Sequence, residues 1–170
     1  MSLKFGTDGV RGVANVEPPR DWALWRGRSA ARVRGGGGGC SGRAPRRSGP
    51  MLGAALAAGL ASEGVDVIDL GVIPTPGVAH ASAALGCPAA MISASHNPFG
   101  DNGIKLFAAG GRKLSDEVEE ALESELTVLG AGGDAHARPW GSAVGDLATD
   151  LDSLASYHRH LTTTVLDGRD

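Results

Sequence analysis

The sequence predicts an α/β fold: a three-layer α/β/α domain with a mixed, mostly parallel sheet. Two apolar segments with the pattern of strands, at 65–70 and 88–92, are separated by a helical segment at 78–85. Strand, helix and strand at this spacing are typical of a βαβ unit, whose two strands are parallel. Two further segments, at 104–107 and 112–114, flank Ala-Ala-Gly-Gly and predict an antiparallel hairpin.

The length and composition limit the domain organisation. A chain of 170 residues holds one domain and a short addition. We predict a domain at 1–145 and, at 146–170, a linker helix toward a second domain that this chain lacks. No apolar leader and no run of eighteen apolar residues occur, so we expect no membrane segment. Cys40 and Cys87 make no disulfide framework, which favours a cytoplasmic location.

The first third of the chain has an irregular pattern. A short strand at 3–5 and a glycine-rich loop at 6–12 are predicted, followed by a helix at 21–33. Five consecutive glycines at 35–39 disfavour both helix and strand, at about 1 kcal/mol per glycine. We therefore expect residues 20–47 to be aberrant and poorly ordered.

From residue 48 the pattern becomes regular. A helix at 51–63 precedes the βαβ unit, and a second helix runs from 116 to about 129, with acidic residues in its first turn, where the helix dipole favours them. Residues 130–145 have the composition of a linker. Apolar residues that recur at helical spacing from Leu147 to Val165 predict a last amphipathic helix.

Positive charge is concentrated in one segment. Residues 20–47 hold eight arginines and a single acid, Asp21, although the whole chain has a net charge of −3. This pattern is typical of a flexible cationic arm that binds nucleic acid. No aromatic residue follows Trp25 among these arginines, so stacking on bases is not available, and we expect no nucleic-acid partner. The arginines are at positions 20, 26, 28, 32, 34, 43, 46 and 47.

The main candidate for chemistry is Ser-Ala-Ser-His-Asn-Pro at 93–98, directly after a predicted buried strand. Open α/β sheets bind ligands at the carboxyl ends of their strands. The Asn-Pro pair favours a tight turn that presents a serine hydroxyl, and His96 and Lys105 can supply proton transfer and positive charge. A serine in this setting can form a covalent phosphoryl intermediate. An ordinary polar surface turn is the alternative for these residues taken alone.

Two weaker motifs accompany it. In Thr-Asp-Gly-Val-Arg-Gly at 7–12, the glycines allow backbone N–H groups to approach an anion, and Arg11 can bind phosphate through two hydrogen bonds. Small glycine loops are more often plain turns. In Asp-Asn-Gly-Ile-Lys at 101–105, Asn-Gly is first a turn signal, and Lys105 also fits a solvated strand position.

These motifs, in this order, resemble one family, the α-D-phosphohexomutases. Residues 5–12 are similar to its first loop, and residues 92–99 to its phosphoserine loop, followed by a segment like 101–105. The amino-acid sequences of both loops are similar to those of the phosphoglucosamine mutases, whereas phosphomannomutases typically have Asp-Ile-Arg-Gly and Gly-Ser-His-Asn at these places. The resemblance covers 1–17 and 48–129 well.

The resemblance implies a function and a set of site residues. By it, Ser95 carries a phosphoryl group that passes to glucosamine 6-phosphate, and the resulting bisphosphate returns its other phosphate and leaves as glucosamine 1-phosphate. Arg11 would contact the phosphoryl group, and Lys105 with His96 would assist proton transfer. Mg²⁺ would bind a phosphoserine oxygen of Ser95 and three aspartates of an Asp-Gly-Asp-x-Asp loop, which this sequence lacks. We therefore expect a phosphorylated hexosamine as substrate and no activity from the fragment alone.

The sequence also departs from the family. The family has an apolar strand followed by Gly-Arg-Asp-Thr-Arg, whereas this chain has a glycine-rich 35–41 followed by Gly-Arg-Ala-Pro-Arg, with Ala44 at the aspartate position. Thirteen arginines against three lysines indicate a GC-rich gene. We hypothesise that residues 20–45 reflect a local frameshift. A phosphomannomutase or phosphoglucomutase of the same superfamily remains an alternative, because only the residues of these two loops distinguish the enzymes in this part of the chain.

Overall fold

The computed structural model describes residues 10–16, 20–134, 136–150 and 152–166. Within these ranges it contains six strands, five α-helices and a short 3₁₀ helix at Gly141–Ala143. The strands are β1 (Val10–Val13), β2 (Gly39–Arg43), β3 (Val67–Val72), β4 (Ala89–Ile92), β5 (Asp101–Phe107) and β6 (Leu147–Thr149). The helices are α1 (Arg20–Arg34), α2 (Gly49–Ala61), α3 (Thr75–Leu85), α4 (Asp116–Gly130) and α5 (Ser153–Leu166).

The six strands form one mixed sheet in the order β1-β5-β4-β2-β3-β6. Strand β2 pairs in parallel with β3 and β4, and β6 pairs in parallel with β3. Strand β5 is antiparallel to both of its neighbours, β1 and β4. Three parallel pairings against two antiparallel ones confirm the predicted mixed, mostly parallel sheet.

Helices cover both faces of the sheet, which confirms the three-layer architecture. On one face, Trp22 of α1 and Leu52 of α2 pack against Ile92 of β4 and Ile104 of β5. Helix α4 packs on α1 and extends this layer. On the other face, α3 packs Val78 and Ala81 against the sheet, and α5 packs on α3. None of the described helices is long and apolar enough to cross a membrane.

Residues 20–47 differ from the expectation of poor order, because they form α1 and the central strand β2. The arginines of α1 have carboxylate partners distant in sequence. Arg28 and Arg32 both bind Glu63, at 2.7 and 2.9 Å, and both bind Asp134, at 2.9 and 2.7 Å. Arg32 also binds Glu125 of α4 at 2.7 Å. This ionic cluster joins α1 to the end of α2 and to α4.

The glycine run is accommodated because most of it lies outside the strand. Gly35, Gly36 and Gly37 have positive φ and form the turn after α1, where glycine is strongly favoured. The backbone of Gly39 then enters β2 by donating a hydrogen bond of 2.9 Å to the Asp66 carbonyl. A small, mostly apolar cavity of about 50 Å³ lies between Gly39, Cys40 and α1.

Three other elements differ from their predictions. The glycine loop was expected to reach Gly12, but Val10–Val13 form β1, and the strand at 3–5 lies outside the described residues. The hairpin after β5 is reduced to a single bridge between Ala108 and Arg112, because β5 pairs instead with β1 and β4. The last helix begins at Ser153, since the segment from Leu147 to Thr149 adds β6 to the sheet beyond the predicted boundary at residue 145.

Candidate active site

The candidate site lies at the edge of the sheet where the parallel strands end. Strands β2 and β4 are neighbours, with Arg43 opposite Ile92 at their carboxyl ends. The loops that follow them, 44–48 and 93–100, therefore lie side by side. In an α/β sheet this edge is the usual place for a ligand. The structure thus places the predicted serine loop, 93–100, where the sequence predicted it.

Ser95 has an unusual backbone conformation. Its φ is +52°, and Asn15 is the only other non-glycine residue with positive φ in the described part of the chain. This left-handed conformation costs an L-residue about 1–2 kcal/mol, so the surrounding contacts must stabilise it. The side chain of Ser95 is exposed at the edge of the sheet. Its hydroxyl is therefore accessible to a ligand.

Ser93 and Ser95 have different roles in the loop. The half-buried Ser93 hydroxyl accepts a hydrogen bond of 3.0 Å from the backbone N–H of Ser95. The N–H of Ser93 donates to the Gly103 carbonyl at 2.9 Å, which continues the pairing of β4 with β5. Ser93 therefore supports the turn, and Ser95 presents its hydroxyl to solvent.

The residues after Ser95 complete the turn. The Oγ of Ser95 lies 3.5 Å from Nδ1 of the exposed His96, at the outer limit of a hydrogen bond. The N–H of Asn97 donates to the Ala94 carbonyl at 3.0 Å, and the Asn97 side chain donates to the Asp101 carboxylate at 3.0 Å. The loop is therefore closed by its own hydrogen bonds, with His96 beside the hydroxyl.

Arg11 and Lys105 lie on strands next to this loop. Arg11 of β1 is opposite Gly103 of β5, and Lys105 of β5 is opposite Met91 of β4. Paired residues of antiparallel strands share a face, as do residues two apart in one strand, so Arg11 and Lys105 lie on the same face. The Lys105 ammonium lies 5.4 Å from the centre of the Phe107 ring. The two basic residues thus adjoin the loop from one face of the sheet.

Sequence reasoning missed Arg46, which holds the serine loop. Its guanidinium donates hydrogen bonds to the carbonyl oxygens of Ser95 at 2.8 Å and Asn97 at 3.0 Å. It also donates to the carbonyls of Pro98 at 2.6 Å and Asp101 at 2.9 Å. One signal was available, since Arg46 closely follows β2, at the same edge of the sheet as the serine loop.

A second contact joins the loop after β2 to β5, the strand that follows the serine loop. The side-chain amide of the fully buried Asn102 donates to the Ser48 hydroxyl at 3.0 Å, and its carbonyl oxygen accepts from the Gly103 N–H at 2.9 Å. Ser48 lies at the start of α2. The loop after β2 is therefore bonded to the serine loop through Arg46 and to the start of β5 through Ser48.

The described residues do not by themselves form a magnesium site. Among them, no group of three or more histidine, cysteine, aspartate or glutamate side chains is arranged to hold a metal ion. The carboxylate nearest to the serine loop in sequence, that of Asp101 at the start of β5, accepts a hydrogen bond from Asn97. Mg²⁺ requires near-octahedral oxygen ligands, which Ser95 and Asp101 do not complete.

Comparison with known proteins identifies the family. Residues 2–130 match the model of phosphoglucomutase/phosphomannomutase, alpha/beta/alpha domain I. The chain is 48% identical to a phosphoglucosamine mutase of Rhodococcus jostii, an alignment that covers 100% of this chain and 39% of the relative. It is 50% identical to a phosphoglucosamine mutase of Symbiobacterium thermophilum, over 96% of this chain and 38% of the relative. The chain thus spans about two-fifths of the length of these curated relatives.

Solved structures of the same fold agree with this assignment. A putative phosphomannomutase from Thermus thermophilus superposes with a TM-score of 0.78 at 29% identity, covering 96% of this chain and 36% of that one. A phosphoglucomutase/phosphomannomutase family protein from Burkholderia thailandensis gives a TM-score of 0.76 at 25% identity, over 95% of this chain and 36% of that one. The chain belongs to the phosphoglucomutase/phosphomannomutase family, of which it contains the alpha/beta/alpha domain I.

Proposed function

We propose that this chain is the phosphoserine-bearing part of a phosphoglucosamine mutase. The complete enzyme would interconvert glucosamine 6-phosphate and glucosamine 1-phosphate. The names of the relatives at 48–50% identity support this reaction. The observation that carries the proposal is the difference between the two serines. Ser95 presents an exposed hydroxyl on a backbone held in place, whereas the Ser93 hydroxyl accepts a hydrogen bond inside the loop.

In the proposed reaction Ser95 enters as its phosphate ester. The substrate hydroxyl attacks phosphorus, the bond between phosphorus and Ser95 Oγ breaks, and a sugar bisphosphate forms. After the bisphosphate turns round, Ser95 Oγ attacks its other phosphoryl group, which restores the phosphoserine and releases the isomer. Splitting the transfer in this way replaces one difficult step by two easier ones.

Each transfer moves one proton as well as one phosphoryl group. The attacking hydroxyl loses a proton and the departing oxygen gains one. We propose that His96, whose Nδ1 lies 3.5 Å from Ser95 Oγ, and Lys105 on the adjoining strand assist these proton transfers. Arg11, on the same face as Lys105, would neutralise part of the charge of the phosphoryl group.

Mg²⁺ is part of the same proposal, as a ligand of the Ser95 phosphate. The ion would offset the repulsion between two phosphate groups. The described residues lack the remaining ligands, so we propose that carboxylates outside this chain supply them. The same holds for the sugar-recognition groups, which makes the predicted domain at 1–145 one part of a shared site.

The arginine-rich segment supports a structural role better than nucleic-acid binding. Arg28, Arg32 and Arg43 form ion pairs with carboxylates, and the hydrogen bonds of Arg46 go to backbone carbonyls. Arg26 is completely buried. A phosphate backbone would have to displace these contacts. We therefore propose a phosphorylated hexosamine as ligand and no nucleic-acid partner, and the free cysteines fit a cytoplasmic location.

The test uses a polypeptide that continues this chain to the length of its relatives. Ser95→Ala should abolish isomerisation of glucosamine 6-phosphate, and phosphopeptide mapping of the parent protein should place the phosphate on Ser95. Ser93→Ala is the matched control and should retain phosphorylation at Ser95. A phosphate on Ser93, or full activity of Ser95→Ala, would overturn the proposal. Faster turnover of mannose or glucose phosphates would favour the sister enzymes.

A further inference from the structure

We propose that Arg46 is a positioning residue that holds Ser95 in the conformation needed for phosphoryl transfer. The role of Arg46 in catalysis rests on the function proposed above, but its effect on the loop can be measured independently. No phosphate or sugar contact is assigned to Arg46. It acts on Ser95 through the backbone of the loop.

The hydrogen bonds to the serine loop and to the start of β5 occupy all the Nη donors of Arg46. Its two Nη atoms carry four N–H groups, and they make four hydrogen bonds, two from Nη1 and two from Nη2. All four acceptors are carbonyl oxygens of the segment from Ser95 to Asp101. The loop therefore wraps around one guanidinium group, and no Nη donor remains for a phosphate oxygen.

The backbone of Arg46 is itself fixed. The N–H of Gly49, the first residue of α2, donates to the Arg46 carbonyl at 2.9 Å, and the Arg46 N–H donates to the Ala44 carbonyl at 2.8 Å. The neighbouring contact between Ser48 and Asn102 joins the same loop after β2 to β5. Arg46 thus connects the serine loop to a helix and to the sheet, which are the rigid parts of the domain.

These contacts explain how Ser95 keeps its left-handed backbone. Its N–H is held by the Ser93 hydroxyl and its carbonyl by Arg46, so both adjoining peptide groups are oriented. The carbonyl oxygens that accept from Arg46 also point toward its guanidinium cation. Without Arg46 these oxygens would be free to turn toward the Ser95 phosphate, where they would repel its negative charge.

The experiment compares Arg46→Ala with Arg47→Ala in the 170-residue chain. Arg47 is exposed and forms no hydrogen bond or ion pair with the described residues, so it is a matched control for charge. Hydrogen exchange is followed at the amides of Asn97 and Asp101, which bond to Ala94 and Pro98. We expect Arg46→Ala to accelerate both amides about tenfold or more, and Arg47→Ala to leave them unchanged.

A second measurement reports the conformation of Ser95 directly. Its ¹³Cα and ¹³Cβ chemical shifts should leave the left-handed range in Arg46→Ala, and dilute guanidinium ion should restore them in part. Arg46→Lys keeps the charge without the planar fork, so it should fold and yet show faster exchange in the loop. Unchanged exchange and shifts in Arg46→Ala would overturn the inference. Unfolding of both Arg46 variants would also overturn it, because Arg46 would then support the whole domain.

The two proposals can fail separately. If Ser95 carries no phosphate in the longer protein, the proposed function fails, although the effect of Arg46 on the loop is still measurable here. If Ser95 is phosphorylated but Arg46→Ala keeps the parent's kcat, the positioning role fails alone. We expect kcat to fall at least tenfold with KM little changed, because Arg46 does not touch the substrate.

Discussion

Gly27 of α1 and Gly59 of α2 are in direct backbone contact. A methyl group placed on Gly27 would lie 3.0 Å from the Cα of Gly59, and one placed on Gly59 would lie 3.1 Å from the Cα of Gly27. Both methyl groups would also overlap carbonyl oxygens of the opposite helix, those of Leu56 and Leu24. The two helices therefore pack at a distance that only glycine permits at these positions.

Gly59→Ala should destabilise the domain, although alanine is the better helix former. Separating α1 from α2 to admit a methyl group should cost about 1–3 kcal/mol, the usual cost of overpacking. Thermal unfolding measures the effect, at about 2–4 °C per kcal/mol for a chain of this size. Gly130→Ala in α4 is the control, because a methyl group there meets Trp25 at an ordinary 3.6 Å. Equal melting temperatures for the two variants would contradict the close contact.

The free energy of unfolding should depend on pH in the acid range, because Glu63 of the ionic cluster has a shifted pKa. Burial raises the pKa of Glu63, and hydrogen bonds from Arg32 and Arg28 lower it by more, so it lies below the ordinary 4.5. A carboxyl group with a depressed pKa stabilises the fold above its unfolded pKa and loses that effect as the pH falls through the folded value. We expect the melting temperature to decline below about pH 4.5.

Glu63→Gln tests this dependence. At neutral pH the variant should lose about 1–3 kcal/mol, because two buried guanidinium groups lose a charged acceptor. Its melting temperature should then fall less steeply in acid than that of the parent. Glu120→Gln, at an exposed position of α4, is the control. Parallel pH profiles for Glu63→Gln and the parent would show that Glu63 is not the titrating group.

Two glycines of β2 should respond in opposite ways to a side chain. A methyl group on Gly39 would meet the Pro88 carbonyl at an ordinary 3.6 Å, so Gly39→Val should stabilise the strand by about 1 kcal/mol. A methyl group on Gly42 would overlap Ile73 and lie 2.7 Å from Cγ2 of Val78, so Gly42→Ala should destabilise it by about 1–3 kcal/mol. Denaturant titration of both variants decides, and stabilisation by Gly42→Ala would refute this account of β2.

The 170-residue chain alone should show no isomerisation of glucosamine 6-phosphate in the presence of Mg²⁺. Its sequence lacks an Asp-Gly-Asp-x-Asp loop, and the described residues form no metal cluster. Without the cation, repulsion between the phosphates opposes the transfer. A coupled assay for glucosamine 1-phosphate measures this, with a full-length relative as positive control. Turnover above background by the chain alone would contradict the prediction.

The sequence predicted the elements whose pattern is local. The β-branched and apolar residues of β3 and β4, with α3 between them, define a βαβ unit without reference to the rest of the chain. The serine loop was found for the same reason, since its residues are contiguous. Arg46, which supports the loop, was not found in this way, because it lies 49–55 residues before the carbonyl oxygens to which it donates hydrogen bonds.

Partners distant in sequence help to explain why residues 20–47 form α1 and β2, which the local pattern of the sequence did not predict together. Arg28 and Arg32 give an excess of charge when α1 is considered alone, but Asp134, which binds both, follows them by 106 and 102 residues. The hairpin prediction is right only for its turn, where Ala108 and Arg112 form one antiparallel bridge, while residues 104–107 pair with β4. The frameshift hypothesis for 20–45 remains a hypothesis, and the DNA across codons 20–49 tests it directly.

Strand β6 and helix α5 are each bonded to an earlier part of the domain. Leu147–Thr149 pair with β3, the Asp150 carboxylate accepts hydrogen bonds from the backbone N–H groups of Asp152 and Ser153, and His80 of α3 contacts Ser156 at 3.3 Å. Rotation of α5 away from the domain would break the contact between His80 and Ser156. Because α3 packs on both α5 and the sheet, movement of α5 would be transmitted to the sheet through α3.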